Sequence, residues 1–563
     1  MCNSRRVFKS RLRWCQQHEE QIRMDIIATQ HARGDFRSFW KSTNRMTARP
    51  GPPACVDGVS DHQGIAELFK KQFTVVSPLG PSQPSSDAEG RCDSELDIIF
   101  RAKDIRDVIK GMKRGKSPGH DGLSIEHFLY AGPHLPRVLA MLYTLCLGHS
   151  YLPVDLMKTV VVPIVKNKTG LVSDTNNYRP ISLATITAKV FDSLLNTQLN
   201  KYVKIHDNQF GFRPGLSTES AILCLKQTVS YYTDRKTAVY ACFLDLSKAF
   251  DLVSYDILWE KLRKEKVPTA LISVFQYWYG KQSNVVKWMN TFSRPYRMEC
   301  GVRQGGLSSP SLFNLYINAL IEELSGCRVG CHIDGVCVNN ISYADDMALL
   351  SASPGGLAHL LGICEKYAAS HGLLYNTTKS ECMVFGAGCG YANNIPPFKL
   401  NGSVLKRVHQ FKYLGHIITS GLGDDADIER ERRALAVRAN MIARRFARCT
   451  RQVKITLFRA YCTSLYTCAL WASYTQRRYS ALRVQYNDAL RALLGRPRWC
   501  SASGMFAEAR VDCFHATMRK RASSLLCRVR GSTNTVLSMI ASRLDFLYMR
   551  HCSSLHAPML RIE

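Results

Sequence analysis

The sequence predicts an α+β fold in its central part, followed by a region built of helices. Two segments indicate buried strands. Residues 239–245 form an apolar, β-branched and aromatic run that ends at Asp245, and residues 341–350 are two apolar runs around a tight Ala-Asp-Asp turn. Apolar residues at helical spacing fill much of the chain between these segments and dominate after residue 423.

The N-terminal part combines a predicted helix with linkers. Residues 1–45 predict one basic amphipathic helix, because Phe8, Leu12 and Cys15 recur at helical spacing. Residues 49–58 and 77–93 are rich in Pro, Gly and Ser, so they are interpreted as linkers.

The central elements follow from hydrophobic pattern and from proline. Residues 159–166 predict a strand that ends in cationic residues, and extended structure resumes at 178–181 because Pro180 disfavours a helical conformation at Arg179. Further helices are expected in the segments 96–113, 185–203, 217–233 and 312–324.

A long basic helix is expected from Asp424 onward. Its apolar stripe is formed by Ile428, Leu435, Ala439, Ile442 and Phe446. Its other faces are rich in arginine, and about half of the net positive charge of the chain lies after residue 420. With few compensating acids, this pattern favours contact with a nucleic acid backbone over a merely solvated helical face.

The composition narrows the class of partner. The chain has 563 residues, 46% of them hydrophobic, and a net charge of +30. This charge favours nucleic acid as a partner. No apolar run approaches the roughly 18 residues of a membrane-spanning helix, so no membrane partner is expected. The 21 cysteines are scattered, which favours reduced thiols in an intracellular protein over a disulfide framework.

Three aspartates are candidates for a metal site. Asp245 ends a predicted strand, while Asp345 and Asp346 lie in the predicted turn, and the three converge if the strand and the hairpin are neighbours. Mg²⁺ binds a few carboxylates together with substrate phosphates. Two such ions about 3.5–4 Å apart stabilise the attacking and leaving oxygens of a phosphoryl transfer. The alternatives are a helix-capping aspartate and a solvated turn with incidental acids.

A series of short motifs runs through residues 95–420 in a fixed order. They are Lys-Ser-Pro-Gly-His-Asp-Gly (116–122), Asn-Tyr-Arg-Pro-Ile-Ser-Leu (177–183), Gln-Phe-Gly-Phe-Arg-Pro-Gly (209–215), Phe-Leu-Asp-Leu-Ser-Lys-Ala-Phe-Asp (243–251), Gly-Val-Arg-Gln-Gly (301–305), Tyr-Ala-Asp-Asp (343–346) and Phe-Lys-Tyr-Leu-Gly (411–415). In this order they resemble the reverse transcriptases of non-LTR (LINE-type) retrotransposons.

The resemblance implies a right-hand polymerase. Fingers and a palm with an antiparallel sheet packed by helices would occupy residues 95–421, a helical thumb 422–497 and a basic helical region 498–563, after a basic N-terminal segment and linker at 1–94. Such an enzyme adds deoxynucleoside triphosphates to the 3′-OH of a DNA primer on an RNA template, forming an RNA–DNA hybrid whose minor groove the thumb would follow.

The resemblance also assigns the reacting groups. Asp245, Leu246, Asp345 and Asp346 would hold two Mg²⁺ ions, for which Mn²⁺ can substitute. Lys379 would lie near the leaving pyrophosphate, where it either donates a proton or screens charge.

Four residues are expected to bind the incoming nucleotide. Arg179 and Lys166 on a finger hairpin would grip the triphosphate, and Gln304 would touch the nascent base pair or the sugar. By resemblance Phe250 is a steric gate against a ribose 2′-OH; the alternative is a phenylalanine that only packs the palm. Ser308 stands where the family more often has an apolar residue.

Four further residues are expected along the nucleic acid. Arg213 is a candidate contact to the template backbone. Tyr413, Leu414 and Gly415 lie on a hairpin that supports the primer 3′ end in the family.

Two rival interpretations stay open. The chain is either an active polymerase or a catalytically inactive or domesticated nucleic-acid-binding remnant, and Phe250 argues against an RNA-templated RNA polymerase. The family often carries an endonuclease upstream, which residues 1–94 are too short to form, so nicking activity is expected from elsewhere. The expected location is the nucleus, a cytoplasmic ribonucleoprotein, or both.

Overall fold

The computed structural model describes residues 2–46, 53–80, 98–167, 170–386 and 395–556. The helices are α1 Cys2–Gln17, α2 Glu19–Ala32, α3 Phe36–Met46, α4 His62–Phe73, α5 Ala102–Gly111, α6 Ile125–Tyr130, α7 Leu135–Gly148, α8 Val154–Met157, α9 Ile186–Leu199, α10 Thr218–Thr233, α11 Tyr255–Lys264, α12 Thr269–Lys281, α13 Ser309–Gly326, α14 Pro354–His371, α15 Asp425–Arg445, α16 Arg451–Tyr461, α17 Gln476–Leu494, α18 Ala502–Glu508, α19 Phe514–Arg530, α20 Thr535–Ser542 and α21 Leu547–His556. The strands are β1 Lys158–Val165, β2 Tyr178–Leu183, β3 Val239–Leu244, β4 Ser283–Trp288, β5 Thr291–Phe292, β6 His332–Ile333, β7 Val336–Cys337, β8 Asn340–Tyr343, β9 Asp346–Ser351, β10 Glu381–Phe385, β11 Lys399–Leu400, β12 Ser403–Val404, β13 Lys406–Arg407, β14 Gln410–Tyr413 and β15 His416–Thr419.

The central sheet has the strand order β13-β10-β3-β9-β8, with β3 in the middle and antiparallel to both β10 and β9. Every residue of β3 is buried, because its alternate side chains enter two different cores. Tyr240 and Leu244 pack with α11–α14, whereas Ala241 and Phe243 pack with α10 and the C-terminal helices. The predicted buried central strand is thereby confirmed.

A second sheet has the order β2-β1-β4-β5. β1 and β2 form the predicted antiparallel hairpin, in which Ile164 lies opposite Arg179. Helix α4 packs on this sheet through Phe69, which contacts Tyr178 and Trp288. Because Val56 joins the same core with no exposed surface, residues 53–58 are part of this layer and not a linker. Residues 47–52 and 81–97, which include most of the other predicted linker, lie outside the described residues.

The expectation of a single helix over residues 1–45 is wrong. Gly34, with a φ of 71°, and Asp35 separate α2 from α3, and His18 separates α1 from α2. The apolar stripe from which this helix was predicted is exposed to solvent, since Phe8 is 65% and Leu12 is 46% exposed. The buried contacts of this segment come from other residues, described next.

A separate hydrophobic core lies in the predicted thumb region, and we call it the thumb core. It contains residues from the N-terminal helices as well as from the C-terminal part of the chain. The predicted stripe of α15 is confirmed, since all five of its members are buried. They pack with α16 and α17 and also with Met24, Ile27 and Phe39 of α2 and α3.

The charge pattern of α15 differs from the expectation. Glu431 forms ion pairs with Arg430 and Arg438, and Glu429 forms ion pairs with Arg432 and Arg433. Acids one to seven residues away therefore neutralise much of its basic face.

The C-terminal helices pack behind the central sheet. Val529, Leu537 and Ile540 join the core around α10. Polar contacts fix the same surface: Arg528 forms an ion pair with Glu219, and Asn534 Nδ2 donates a hydrogen bond to Asp207 O at 2.6 Å.

Candidate active site

Asp245, Asp345 and Asp346 meet at one edge of the central sheet. β3 ends at Leu244, which lies opposite Met347 of β9, so Asp245 follows the strand directly beside the tip of the β8–β9 hairpin. Within the hairpin Tyr343 lies opposite Asp346, and the turn between them is formed by Ala344, with a φ of 59°, and Asp345. Two segments about a hundred residues apart therefore bring three carboxylates together.

The hairpin is held in place by the segment that precedes α10. Phe210 N donates to Ser342 O at 2.7 Å, and Ser342 N donates to Asn208 O at 2.9 Å. The side-chain oxygen of Gln209 accepts from Ala344 N at 2.9 Å. Gly211 lies so close that an added Cβ would be 2.3 Å from Ala344 N. Only glycine fits at position 211. The contacts of residues 208–211 therefore fix the turn that carries Asp345 and Asp346.

Electrostatics at the tip favours a bound cation. Burial, together with repulsion from Asp245, raises the pKa of Asp345. Burial and repulsion from Asp345 and Asp245 raise the pKa of Asp346 to about 6, although its side chain is exposed and solvent screens part of the effect. A bound divalent ion would relieve this repulsion.

The loop after α14 completes the surroundings of Asp245. Asp245 N donates to Ser380 Oγ at 3.1 Å, and Asn376 N donates to Asp245 O at 2.8 Å. Lys379 Nζ lies 3.8 Å from Asp245 Oδ2. Leu246 has a buried aliphatic side chain without a donor atom, so it could bind a metal only through its backbone carbonyl.

A pocket of about 810 Å³ lies beside the carboxylates, between the central sheet and the β1–β2 hairpin. Its wall carries Asp245, Asp251 and Asp345 and five cationic residues, namely Lys166, Arg179, Lys248, Arg303 and Lys379. Burial and the neighbouring charges of Arg179 and Lys379 lower the pKa of Lys166. The pocket thus has an anionic floor and a cationic wall, an arrangement suited to a polyphosphate that carries divalent metal.

Phe250 lines this pocket and also packs against its wall. Its ring stacks on Phe313 with centroids 4.5 Å apart and meets the edge of Phe212 at 6.2 Å. Support by Phe313 holds the ring in one orientation, which a steric gate requires. The core-packing role and the gate role are therefore compatible.

Gln304 is positioned from two sides. Val302 N donates to Phe250 O at 2.7 Å, and Gln304 Nε2 donates to Asp251 Oδ1 at 2.9 Å. From the other sheet, Ser182 N donates to Gln304 O at 2.8 Å. Gly305, with a φ of 116°, follows at this contact. The loop that carries Gln304 thereby joins the two sheets at the pocket.

The residues at the hairpin tip suit a magnesium site that is shared with a substrate. Among the described residues, no group of three or more His, Cys, Asp or Glu side chains is arranged as a metal site made by the protein alone. Magnesium in phosphoryl-transfer sites is usually held by one or two carboxylates plus substrate phosphates. Two converging aspartates with raised pKa values beside a cationic pocket fit that kind of site.

Comparison with known proteins identifies this region. Residues 165–418 match the family described as reverse transcriptase (RNA-dependent DNA polymerase). The chain contains a reverse transcriptase domain. All of the predicted site residues, from Lys166 to Gly415, fall within this domain. The family match and the mixed sheet and helix architecture together confirm the predicted α+β right-hand polymerase fold.

Curated relatives of this chain come from mobile elements of the non-LTR class, which confirms the resemblance seen in the motifs. The probable RNA-directed DNA polymerase from transposon BS of Drosophila melanogaster is 25% identical over 88% of this chain and 57% of its own length. The Pol polyprotein of element R2DM of the same species is 28% identical over 61% of this chain and 32% of its own. The RNA-directed DNA polymerase from mobile element jockey of Drosophila funebris is 24% identical over 57% and 35%. The chain thus spans between about a third and just over half of these relatives.

Among solved structures, the chain is similar to apo telomerase from Candida tropicalis, at 11% identity and a TM-score of 0.37 over 69% of each chain. None of the helices in the described part of the chain combines the length and apolar character needed to span a bilayer.

Ser308, which departs from the family's usual apolar residue, has a partner in the structure. Its hydroxyl donates to the buried carboxylate of Asp192 on α9, which also accepts from Leu307 N at 2.7 Å. Arg303 lies 3.8 Å from the same carboxylate and stacks on Trp278 at 4.2 Å. The serine therefore fixes the loop from Gln304 to α13 through a buried aspartate.

The predicted template and primer residues lie away from the pocket wall. Arg213 donates to the carbonyls of His206 and Gln209, so its guanidinium holds its own loop. Tyr413 is buried, and its hydroxyl donates to Ile341 O at 3.4 Å. Leu414 and Gly415 form the half-buried turn between β14 and β15, with left-handed φ angles.

Lys248, Asp251 and Asp192 were missed by sequence reasoning. Lys248 and Asp251 lie in the motif at 243–251, where their position between strand and helix was the available signal. Asp192 has no such signal, because nothing in a helix sequence shows that one acid faces a loop more than a hundred residues away.

Proposed function

We propose that this chain is an RNA-directed DNA polymerase of a non-LTR retrotransposon, adding deoxynucleotides to a primer 3′-OH on an RNA template. The observation that carries the proposal is the meeting of Asp245, Asp345 and Asp346 beside a pocket with a cationic wall. The names of the family and of the relatives describe the same reaction.

Asp245 and Asp345 would hold two Mg²⁺ ions, or Mn²⁺ in their place, with the Leu246 carbonyl and Asp346 at the periphery. When bound, these ions lower the barrier to attack of the primer 3′-OH on the α-phosphate of the nucleotide. The protein's contribution is to fix the carboxylates in place, through the Gln209 contact below the hairpin and the Ser380 and Asn376 contacts around Asp245.

The cationic wall would bind the triphosphate. Arg179 presents a fork of donors to phosphate oxygens, and Lys166 next to it adds a point charge. Lys379 lies on the side of Asp245 and would donate a proton to the leaving pyrophosphate or screen its charge.

Phe250 would exclude ribonucleotides. Its ring lines the pocket and is held in place by stacking on Phe313, so the 2′-OH of an incoming ribonucleotide would clash with it. Replacing Phe250 with Ala is expected to raise ribonucleotide incorporation while DNA synthesis continues. If the variant still discriminated equally against ribonucleotides, Phe250 would only pack the palm. An RNA-templated RNA polymerase would then again be an alternative function.

The other substrates follow from this activity. The partners are an RNA template, a DNA primer and the RNA–DNA hybrid, with Arg213 near the template strand and the Tyr413–Gly415 turn at the primer 3′ end. The site of action is inferred to be the nucleus or a cytoplasmic ribonucleoprotein, where such nucleic acids are found. Nicking of a chromosomal target is assigned to an endonuclease outside the described residues.

The deciding experiment is primer extension on poly(rA)/oligo(dT) with Mg²⁺, comparing the full chain with the Asp345→Ala/Asp346→Ala variant. Extension by the wild type and its loss in the variant are expected. The matched control is Asp334→Ala, which removes an exposed acid from the neighbouring β6–β7 turn. If neither wild type nor variant extends the primer while both bind the hybrid, the chain is a nucleic-acid-binding remnant and the proposal fails.

A further inference from the structure

The turn between β14 and β15 has an unfavourable backbone conformation. Leu414 has a φ of 46°, in the left-handed region that a residue with a Cβ rarely adopts, and Gly415 follows with a φ of 85°. A strained turn of this kind persists where contacts from neighbouring segments hold it in place. Because the turn is proposed to meet the primer 3′ end, the contacts that fix it bear on the position of the primer.

Tyr466, in the loop that follows α16, contacts both residues of this turn. Its hydroxyl donates to Leu414 O at 2.7 Å, and because that proton is used, Thr218 Oγ1 at 3.0 Å donates to the same hydroxyl. The ring lies so close to Gly415 that an added Cβ would be 3.0 Å from Cε1. Since Tyr466 is 40% exposed, it does not fill a core, and these contacts define its place.

Tyr466 is itself held by the start of helix α15. Arg430 Nη2 donates to Tyr466 O at 3.3 Å, and Arg430 Nε donates to Asp427 Oδ1 at 2.7 Å. The same carboxylate oxygen accepts from Ile417 N of β15 at 3.0 Å. Tyr466 and the start of α15 therefore fix both the turn and the strand that follows it.

The β14–β15 hairpin is also attached to the β8–β9 hairpin that carries the aspartates. The Tyr413 hydroxyl donates to Ile341 O of β8 at 3.4 Å. Burial and then the neighbouring Tyr466 raise the pKa of Tyr343, which precedes the Ala-Asp-Asp turn. A displacement of the Leu414–Gly415 turn would therefore change the distance between the primer end and the aspartates.

From these contacts we propose that Tyr466 is a positioning residue for the primer 3′ end, acting through the Leu414–Gly415 turn. Its hydroxyl and ring hold the turn at one distance from the carboxylates, so that the primer 3′-OH stays aligned with the α-phosphate. The inference rests on the proposed polymerase function. It adds a residue beyond the matched domain, which ends at residue 418.

The test compares Tyr466→Phe with Tyr486→Phe in steady-state primer extension by the full chain. Both changes remove a tyrosine hydroxyl from the thumb, and that of Tyr486 donates to Asp512 O at 3.0 Å inside the thumb core. Tyr466→Phe should lower kcat about tenfold and leave the KM for the nucleotide within about twofold, because alignment is lost and nucleotide binding is not. Tyr486→Phe should leave kcat and KM near the wild-type values.

Two further measurements separate positioning from a merely structural role. The preference for a matched over a mismatched primer 3′ base should fall in Tyr466→Phe alone, while thermal melting checks that both variants are folded. Equal effects of the two changes on kcat, or a higher nucleotide KM with unchanged kcat in Tyr466→Phe, would overturn the inference.

A second arm needs no catalysis. An RNA template with a DNA primer that carries 2-aminopurine at its 3′ end is bound to the full chain without nucleotide or Mg²⁺, and the fluorescence reports how the terminal base is held. Tyr466→Phe should bind this duplex with wild-type affinity and change the fluorescence, whereas Tyr486→Phe should not change it. An unchanged signal in Tyr466→Phe would contradict the inference. A changed signal, in a protein whose wild type does not extend primers, would contradict the polymerase proposal alone.

Discussion

Two pairs of aspartates in this protein are closely spaced in sequence and differ in how the protein treats their charge. At the hairpin tip, Asp345 and Asp346 have raised pKa values, and among the described residues neither forms an ion pair. At the base of the thumb, Asp424 and Asp427 are fully buried but surrounded by donors.

The contacts at the base of the thumb are numerous. Asp424 pairs with Lys226 and accepts from the backbone of Ala472 and Ser473. Asp427 accepts from Arg430 Nε at 2.7 Å and from Trp471 Nε1 at 2.8 Å. Burial alone would raise the pKa of Asp427, but the hydrogen bonds and charges of His416 and Arg430 outweigh it and lower that pKa.

The difference separates structural acids from acids kept for a ligand. A buried carboxylate with a full set of donors stabilises the fold, whereas repelling carboxylates left without cations cost stability that a bound metal recovers. The comparison also explains why spacing alone is a poor guide to function, since both pairs are near neighbours in sequence.

The largest expected effect is on catalysis. Replacing Asp345 with Asn removes a metal-binding charge, so the rate of primer extension should fall by at least about 10²–10³-fold. Because the same change relieves repulsion with Asp245, the melting temperature of the metal-free protein should stay equal or rise. A clear loss of stability would mean that Asp345 is a structural acid.

The reverse pattern is expected at the thumb. Asp427→Asn breaks the buried pairs of Asp427 with Arg430 and His416 and leaves them only Glu431 and Asp424. It should lower the free energy of unfolding by about 3–5 kcal/mol, measured by denaturant unfolding. Asp425→Asn is the control, because Asp425 contacts only Thr475 in the described part of the chain, and it should cost about 1 kcal/mol. If Asp427→Asn and Asp425→Asn lowered the free energy of unfolding equally, Asp427 would not be the structural acid that distinguishes the thumb from the hairpin tip.

The pH dependence gives a third expectation. The pKa of Asp346 is raised to about 6, so between about pH 4 and 6 the folded protein holds a proton that the unfolded chain has released. Stability of the metal-free protein should therefore fall as pH rises through this window, while Mg²⁺-dependent extension should rise because protons and metal compete. The slope should be smaller in Asp346→Asn, and an identical slope in that variant would assign it to other groups.

The smallest expected effect concerns a third buried acid, Asp192. Ser308→Ala removes one donor from this carboxylate, while Leu307 N remains. We expect a loss of about 1–3 kcal/mol in the free energy of unfolding and a higher KM for the nucleotide, because the Gln304 loop is less firmly held. No change in either quantity would show that Leu307 N alone suffices.

The central strand, the catalytic hairpin and the finger hairpin could be predicted from sequence, because each joins a local hydrophobic pattern to a motif in known order. The meeting of Asp245 with Asp345 followed from placing those two elements side by side. The roles of the individual site residues stay predictions that the experiments above address.

Other features could not be predicted because they depend on contacts between distant segments. Val56 belongs to a proline-rich stretch that resembles a linker, yet its side chain packs in the core between α4 and the sheet β2-β1-β4-β5. The stripe of Phe8 and Leu12 has helical spacing but no partner surface within the described residues. The ion pairs of α15 are a different case, because Glu429 and Glu431 lie in the same helix as their arginines and the pairs could have been predicted from their spacing.

The packing of α2 and α3 into the thumb has a consequence for synthesis of the protein. Met24, Ile27 and Phe39 leave the ribosome first, yet the α15–α17 residues that cover them are encoded about 400 positions later. At typical elongation rates of 5–20 residues per second this delay is about 20–80 s. During that interval the nascent helices α2 and α3 present apolar surface to chaperones, and the thumb core becomes complete only after α15–α17 have emerged.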